Sequence, residues 1–156
     1  MRFSKKAEYA LRAMTELAMN PDGGSLQAQE LARRERISVK FLEQILRTLT
    51  KAGLLQSRRG AGGGYILTRS PDCISLGEVL RLVDGPLDLL ECAAEQEPSR
   101  CSCGSAHVCG LRSVVVELRA SLAGLLEGVT LADICTRTQE LRRDSVLVPS
   151  EPMYII

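Results

Sequence analysis

Four glycines within five residues, Gly60-Ala61-Gly62-Gly63-Gly64, stand inside LLQSRRGAGGGYILTR, and no helix can run through them. On each side lies a short run suited to extended backbone, so the segment reads as two strands around a Gly-rich tip. What precedes it restricts the fold further. In SLQAQELARRERI, Ser25 is expected to open a short helix whose Ala28, Leu31 and Ala32 form a narrow apolar face. Ile37-Ser38 then begins VKFLEQILRTLTKAG, where Phe41, Leu42, Ile45, Leu46 and Leu49 point inward and Gly53 supplies the break. Two short helices, a tight turn and a hairpin directly behind them predict a winged helix-turn-helix. In front, Ser4 caps a helix to about Met19, ended by Asn20-Pro21-Asp22-Gly23-Gly24.

Beyond Ser70-Pro71 the chain changes character. Ser75-Leu76-Gly77-Glu78 reads as a capping box for a helix ending near Asp84-Gly85-Pro86. Residues 86–110 gather most of the Cys, Gly and Pro and have no periodicity. From about Gly110, Leu111, Val114, Val115, Leu118, Leu122, Leu125 and Leu126 place an apolar stripe along a long helix. A small N-terminal module cannot cover such a stripe, whereas the same helix of a second subunit can, so a homodimer is expected. Thr130-Leu131-Ala132-Asp133 caps a short final helix, and VLVPSEPMYII follows as a loose tail. The predicted fold is mainly α with a small β-hairpin wing. Its parts are a winged helix-turn-helix DNA-binding domain over 1–70, a linking helix and cysteine-rich sensor loop over 71–110, a dimerisation helix and short final helix over 111–141, and a flexible tail over 142–156.

Charge divides at the same place. Residues 1–70 hold thirteen Lys or Arg against six Asp or Glu, and residues 71–156 hold seven against thirteen. A basic half joined to an acidic half predicts that only the first faces a polyanion. No stretch of about 18 apolar residues suggests a membrane span, and MRFSKKAEYALR has charges where a secretion signal needs an apolar run, so the expected location is the cytoplasm. There the cysteines are expected to hold metal or do redox chemistry rather than form structural disulfides. No nucleophile–base constellation and no nucleotide-binding loop is present, and His107 is the only histidine, so the chain is not expected to be an enzyme.

On the third helix Lys40, Glu43, Gln44 and Arg47 recur at i, i+3, i+4 and i+7, a polar face opposite the apolar one. Gln pairs with adenine, Glu accepts from the cytosine amino group, and Lys or Arg reaches guanine or phosphate, so this face can read the major groove of double-stranded DNA. It can equally be a solvated face with a Glu43–Arg47 pair. Wing residues Arg58, Arg59, Gly60, Gly62, Gly63 and Tyr65 combine close backbone approach with cations for a minor groove or phosphates. Arg2, Lys5 and Lys6 could add phosphate contacts.

MRFSKKAEYALRAM, ISVKFLEQILRTLTKAGLL and RRGAGGGYIL, continued by ISLGEVLRLVDG, the cysteine loop and TLADI, resemble the Rrf family of bacterial winged-helix regulators, of the IscR, NsrR and CymR type. The likeness runs to about residue 141. It implies a homodimeric transcription regulator, a repressor or an activator, on a palindromic operator, with an iron–sulphur cluster held by the loop. It implies cluster ligands Cys92, Cys103 and Cys109, with Cys101 competing for the middle place, since five residues separate Cys103 from Cys109 as they separate the last two ligands in cluster-binding relatives. A fourth ligand after the last cysteine is missing, because His107 precedes Cys109; the acidic first-helix ligand of other relatives falls on Glu8, which can equally be a solvent-facing helix residue. A 2Fe-2S cluster is favoured over 4Fe-4S, and zinc on Cys101, Cys103, His107 and Cys109 is a weaker reading because no Cys-x-x-Cys pair occurs. Cys73 and Cys135 are expected to pack as small apolar residues. Two alternatives stay open: a cluster-free regulator of CymR type controlled by a partner protein or thiol oxidation, and a redox or electron-transfer protein.

Overall fold

A computed structural model describes residues 3–20, 23–60, 62–93 and 108–147. In chain order its elements are α1 (Lys5–Ala18), α2 (Ala28–Glu35), α3 (Val39–Lys51), β1 (Leu55–Arg58), β2 (Gly64–Leu67), α4 (Leu76–Asp84), α5 (Gly110–Gly128) and α6 (Leu131–Leu147), with short 3₁₀ turns at Pro71–Cys73 and Glu91–Ala93. It is a helical fold with one two-stranded antiparallel hairpin, as expected.

Helix starts follow side-chain chemistry. Ser4, Ser38 and Ser75 each accept from a backbone N–H of the first turn, at Ala7, Phe41 and Glu78. Thr130 and Asp133 cap α6 reciprocally: Thr130 N donates to the Asp133 carboxylate and Asp133 N to the Thr130 hydroxyl. At Ser75 the expected box is half made, because Glu78 instead takes a 2.6 Å hydrogen bond from Arg69. The turn between α2 and α3 is closed by Arg36 in the left-handed conformation, φ 54°, with the Ile37 amide on the Ala32 carbonyl.

One core runs through the molecule. Ala7, Ala10, Ala13, Met14 and Leu17 of α1 share it with Leu42, Ile45, Leu46 and Leu49 of α3 and with Ile74, Val79, Leu80, Val83 and Leu131, which lie beyond residue 70. Helix α1 is its axis, packed against α3, α4 and α6. Phe41, expected inside, is half-buried at the margin of α3, where its ring meets Tyr9 edge-on at 5.9 Å.

Three expectations are corrected. Ser25 does not open α2: the helix begins at Ala28, and the preceding Leu26 forms a β-bridge with Tyr65 while the Ser25 hydroxyl donates to the Gly62 carbonyl. That segment serves the wing. The final helix is not short: α6 has 17 residues and continues to Leu147, with Arg142 reaching Glu16 of α1 at 3.3 Å, so the tail expected from 142 begins as helix. Residues 148–156 lie outside the described part. Cys73 is exposed rather than packed, whereas Cys135 is half-buried with its thiol 4.0 Å from the Thr15 carbonyl.

Candidate nucleic-acid interface and cysteine site

The end of α3 builds the wing. Gly53, at φ 79°, lets the chain turn back, the Leu54 amide bonds the Leu49 carbonyl at 3.0 Å, and Thr68 at the far end of the hairpin donates to the Gly53 carbonyl at 2.5 Å. Hairpin and helix are thereby held as one piece. At the tip Arg58 pairs with Gly64 in the β1–β2 register and the Gly63 amide bonds the Gly60 carbonyl at 2.9 Å. The third edge is Leu26, which exchanges two hydrogen bonds with Tyr65, at 3.1 and 2.8 Å. Gly64 passes so close to the Leu26 backbone that no side chain fits there.

On this frame Lys40, Gln44 and Arg47 are exposed along one side of α3, with Glu43 partly covered and its carboxylate 4.0 Å from Arg47. Arg58, Arg59, Gly60 and Gly62 are exposed on the wing, while Tyr65 packs against the core and anchors it. Several basic residues of the N-terminal half are already paired: Arg33 and Arg34 with Glu30, Arg12 with Glu35, and Lys5 with Glu8. The two arginines bring the Glu30 carboxyl down to about 2. Among the described residues Lys40, Arg58 and Arg59 have no such acid. Arg36, exposed at the helix-turn-helix turn and likewise without an acid, joins them; its only sequence signal was its place just before Ile37-Ser38. Lys6 is half-buried, and Arg2 lies outside the described residues.

Of the candidate cluster ligands, Cys101, Cys103 and His107 also lie outside the described residues. Cys92 and Cys109 flank that segment, and both are free, partly exposed thiols. Cys92 sits in the 3₁₀ turn packed on α5; Cys109 is the residue before the first turn of α5. Arg112, in the first turn of α5, holds the Cys92 turn, its Nε donating to the Cys92 carbonyl at 2.8 Å. Free thiols at the two ends of a segment that bears further cysteines are donors of the type that thiolate-ligated metals or clusters use, although among the described residues no three His, Cys, Asp or Glu come together to hold a metal. Glu8 is elsewhere, on α1, its carboxylate 2.7 Å from Lys5 and 3.5 Å from Arg12, which hold it below its ordinary value of 4.5, Lys5 most strongly. Glu8 lines a groove of about 590 Å³ between α1 and α6, with Arg12, Glu16 and Ile134.

On α5 only Val115 is buried, while Leu111, Val114, Leu118 and Leu125 are 66%, 54%, 52% and 67% exposed along the adjoining face. No helix among the described residues is long and apolar enough to cross a membrane.

Comparison with known proteins matches residues 3–137 to the Rrf2 model, described as an iron-dependent transcriptional regulator. The chain is 32% identical over 138 residues to the HTH-type transcriptional regulator CymR of Bacillus subtilis, covering 88% of this chain and 92% of the relative. It is 32% identical over 141 residues to the HTH-type transcriptional regulator IscR of Escherichia coli O1:K1 / APEC, covering 90% and 84%. The solved structure of T. potens IscR superposes with a TM-score of 0.73 at 30% identity, covering 99% of this chain and 97% of that one.

Proposed function

Since the chain belongs to the Rrf2 family of transcriptional regulators, we propose that it acts as a homodimer on a palindromic operator and senses through an iron–sulphur cluster in its cysteine loop. The observation that carries the DNA half is the set of cations without acids on one rigid frame: Lys40 on α3, Arg36 at its approach, Arg58 and Arg59 on the wing. In this reading α3 enters the major groove and presents Gln44, Glu43 and Arg47 to base edges. The wing arginines and Arg36 neutralise phosphates, and the glycines let the wing backbone come close. Arg47 must leave Glu43 or read DNA as a pair with it, a small matter since an exposed i, i+4 pair is worth about 0.5 kcal/mol. The dimer follows from the uncovered stripe of α5.

For the sensing half, Cys92 and Cys109 would hold the cluster together with Cys103 or Cys101, and Glu8 would complete the set from the α1 groove, which in a dimer can face the partner's loop. When bound, a cluster supplies a redox-active or labile centre whose gain or loss reorders its loop. This chain's own part is to connect that loop to the DNA-reading frame. Arg112 links Cys92 to α5; Ser75 and Arg81 bond Glu127 near the end of α5; and Asp84 at the end of α4 accepts from the Ser4 amide and hydroxyl that start α1. A shift of α5 therefore reaches α1 and the helices packed on it.

The equal identity to CymR supports a second reading, a cluster-free regulator worked by a partner protein or by thiol oxidation. One preparation separates them. Protein purified without oxygen is expected to show a broad visible band with iron and acid-labile sulphide, and its affinity for operator DNA at fixed salt is expected to differ from that of the apo form. A colourless protein that cannot be reconstituted would favour the second reading, and equal affinities would end the switching proposal. In the DNA half, Arg59→Ala is expected to lower the slope of log affinity against log salt by about one unit, with weakening on every sequence alike; Gln44→Ala is expected to relax preference at one base pair instead.

A further inference from the structure

A cavity of about 520 Å³ opens between the C-terminal half of α4, the Gly85-Pro86-Leu87 turn behind it and the inner side of α5. It has no part in the cysteine site or the DNA-reading face. Leu80, Leu87, Ala123 and Leu126 make its apolar walls. Two of the charged groups around it are satisfied: Asp84 by Ser4, and Arg81 by Glu127. Arg119 is not. Its side chain is 20% exposed, the Asp88 carboxylate stands 4.0 Å from Nη1, and that nitrogen is buried with no hydrogen-bond acceptor. A guanidinium N–H withdrawn from solvent and left without an acceptor is costly, and an occupant that brings an oxygen recovers the cost.

We propose that this cavity is a binding site for a small organic acid, its hydrocarbon body against Leu80, Leu87, Ala123 and Leu126 and its carboxylate on Arg119. The volume is in the range of small-molecule sites, which are mainly apolar with a few placed polar groups. A monoanion fits better than a phosphate, because Asp84 and Asp88 also border the cavity and one guanidinium nitrogen is free to donate a bond. The occupant would touch the end of α4 whose Asp84 holds the start of α1, so a metabolite signal there would act on the same helix as the loop, independently of whether the loop carries a cluster.

The test uses the full-length protein with hexanoate as probe, hexanol as its uncharged match, and Arg119→Met as the variant. Calorimetry is expected to show saturable hexanoate binding in the millimolar range or tighter, weakened about tenfold or more in R119M and for hexanol. Because Arg119 Nη1 makes no hydrogen bond, R119M is expected to fold; should it not, amide shifts of the unaltered protein on adding hexanoate locate the site by themselves, at Leu80, Leu87 and Ala123. No saturable binding up to about 10 mM, hexanol binding as tightly, or shifts confined to other parts of the molecule would each overturn the proposal, while the DNA-binding reading would stand.

Discussion

Replacing Gly64 by alanine tests the wing most directly. The added methyl would fall on the Leu26 carbonyl, with the Gln27 nitrogen at 2.9 Å, and every neighbour it meets is backbone. Nothing flexible can yield, so the strand must part from Leu26 and lose the two hydrogen bonds of the Leu26–Tyr65 bridge. At about 1 kcal/mol net for each, the loss is about 2 kcal/mol. For a chain of this size each kcal/mol lowers the melting temperature by about 2–4 °C, so a fall of about 4–8 °C is expected in a thermal scan. Operator affinity should fall with it, because Arg58 and Arg59 lose their fixed place while α3 keeps its own. Gly62→Ala is the matched control: its Cβ meets nothing within 4 Å and no unusual φ is required, so stability should stay within about 0.5 kcal/mol. If the two variants melt alike, the close approach of Leu26 to the wing is not what the glycine serves.

Three further outcomes are expected. Leu118→Asp, a charge in the middle of the uncovered stripe of α5, should turn a dimer into a monomer in light scattering after size exclusion, and a parent protein that is itself monomeric at tens of micromolar would refute the dimer. Glu127 is held below its ordinary 4.5 by hydrogen bonds from Arg81 and then Ser75; a lowered carboxylate contributes stability above its unfolded value and loses it as pH falls through the folded one. The melting-temperature gap between the parent and Glu127→Gln should therefore be widest near neutrality and close on acidification below about pH 4, and a gap independent of pH would contradict the assignment. Mass-mapped alkylation should label exposed Cys73 well before Cys135, whose thiol is pushed up first by burial and then by Glu16; equal rates would refute that burial.

The local features of this fold were legible because each is written within a few residues. Ser4, Ser38, Ser75 and Thr130 mark helix starts, the α3 apolar positions repeat at helical spacing, and the glycine cluster announces a hairpin. Two of the misreadings involve partners far away in sequence. Ser25 looked like a cap because its strand role depends on Tyr65, forty residues on. Helix α6 looked short because its polar end is steadied by Glu16 of α1, which no local pattern reveals. Phe41 fits the inward period and does pack on the core, half-buried against Tyr9 of α1. In the candidate site, the polar face of α3 and the wing arginines could be named from spacing alone, whereas Arg36 needed the left-handed turn to show its exposure. The place of Cys92 beside the start of α5 rests on Arg112, a contact over twenty residues that composition does not encode.

The core that runs from α1 into α4 and α6 bears on how such a protein can be rebuilt or can diversify. A fragment ending at Ser70 would strip Ile74, Val79, Leu80, Val83 and Leu131 from the buried side of the first helix, so a DNA-reading head transplanted at that seam would carry an open flank into its new host. The described residues between Gly85 and Gly110 add little to that core. Among them only Ala93 is buried, and it stands outside the main core. A lineage, or an engineer, can therefore vary those described positions while the main core keeps all of its residues.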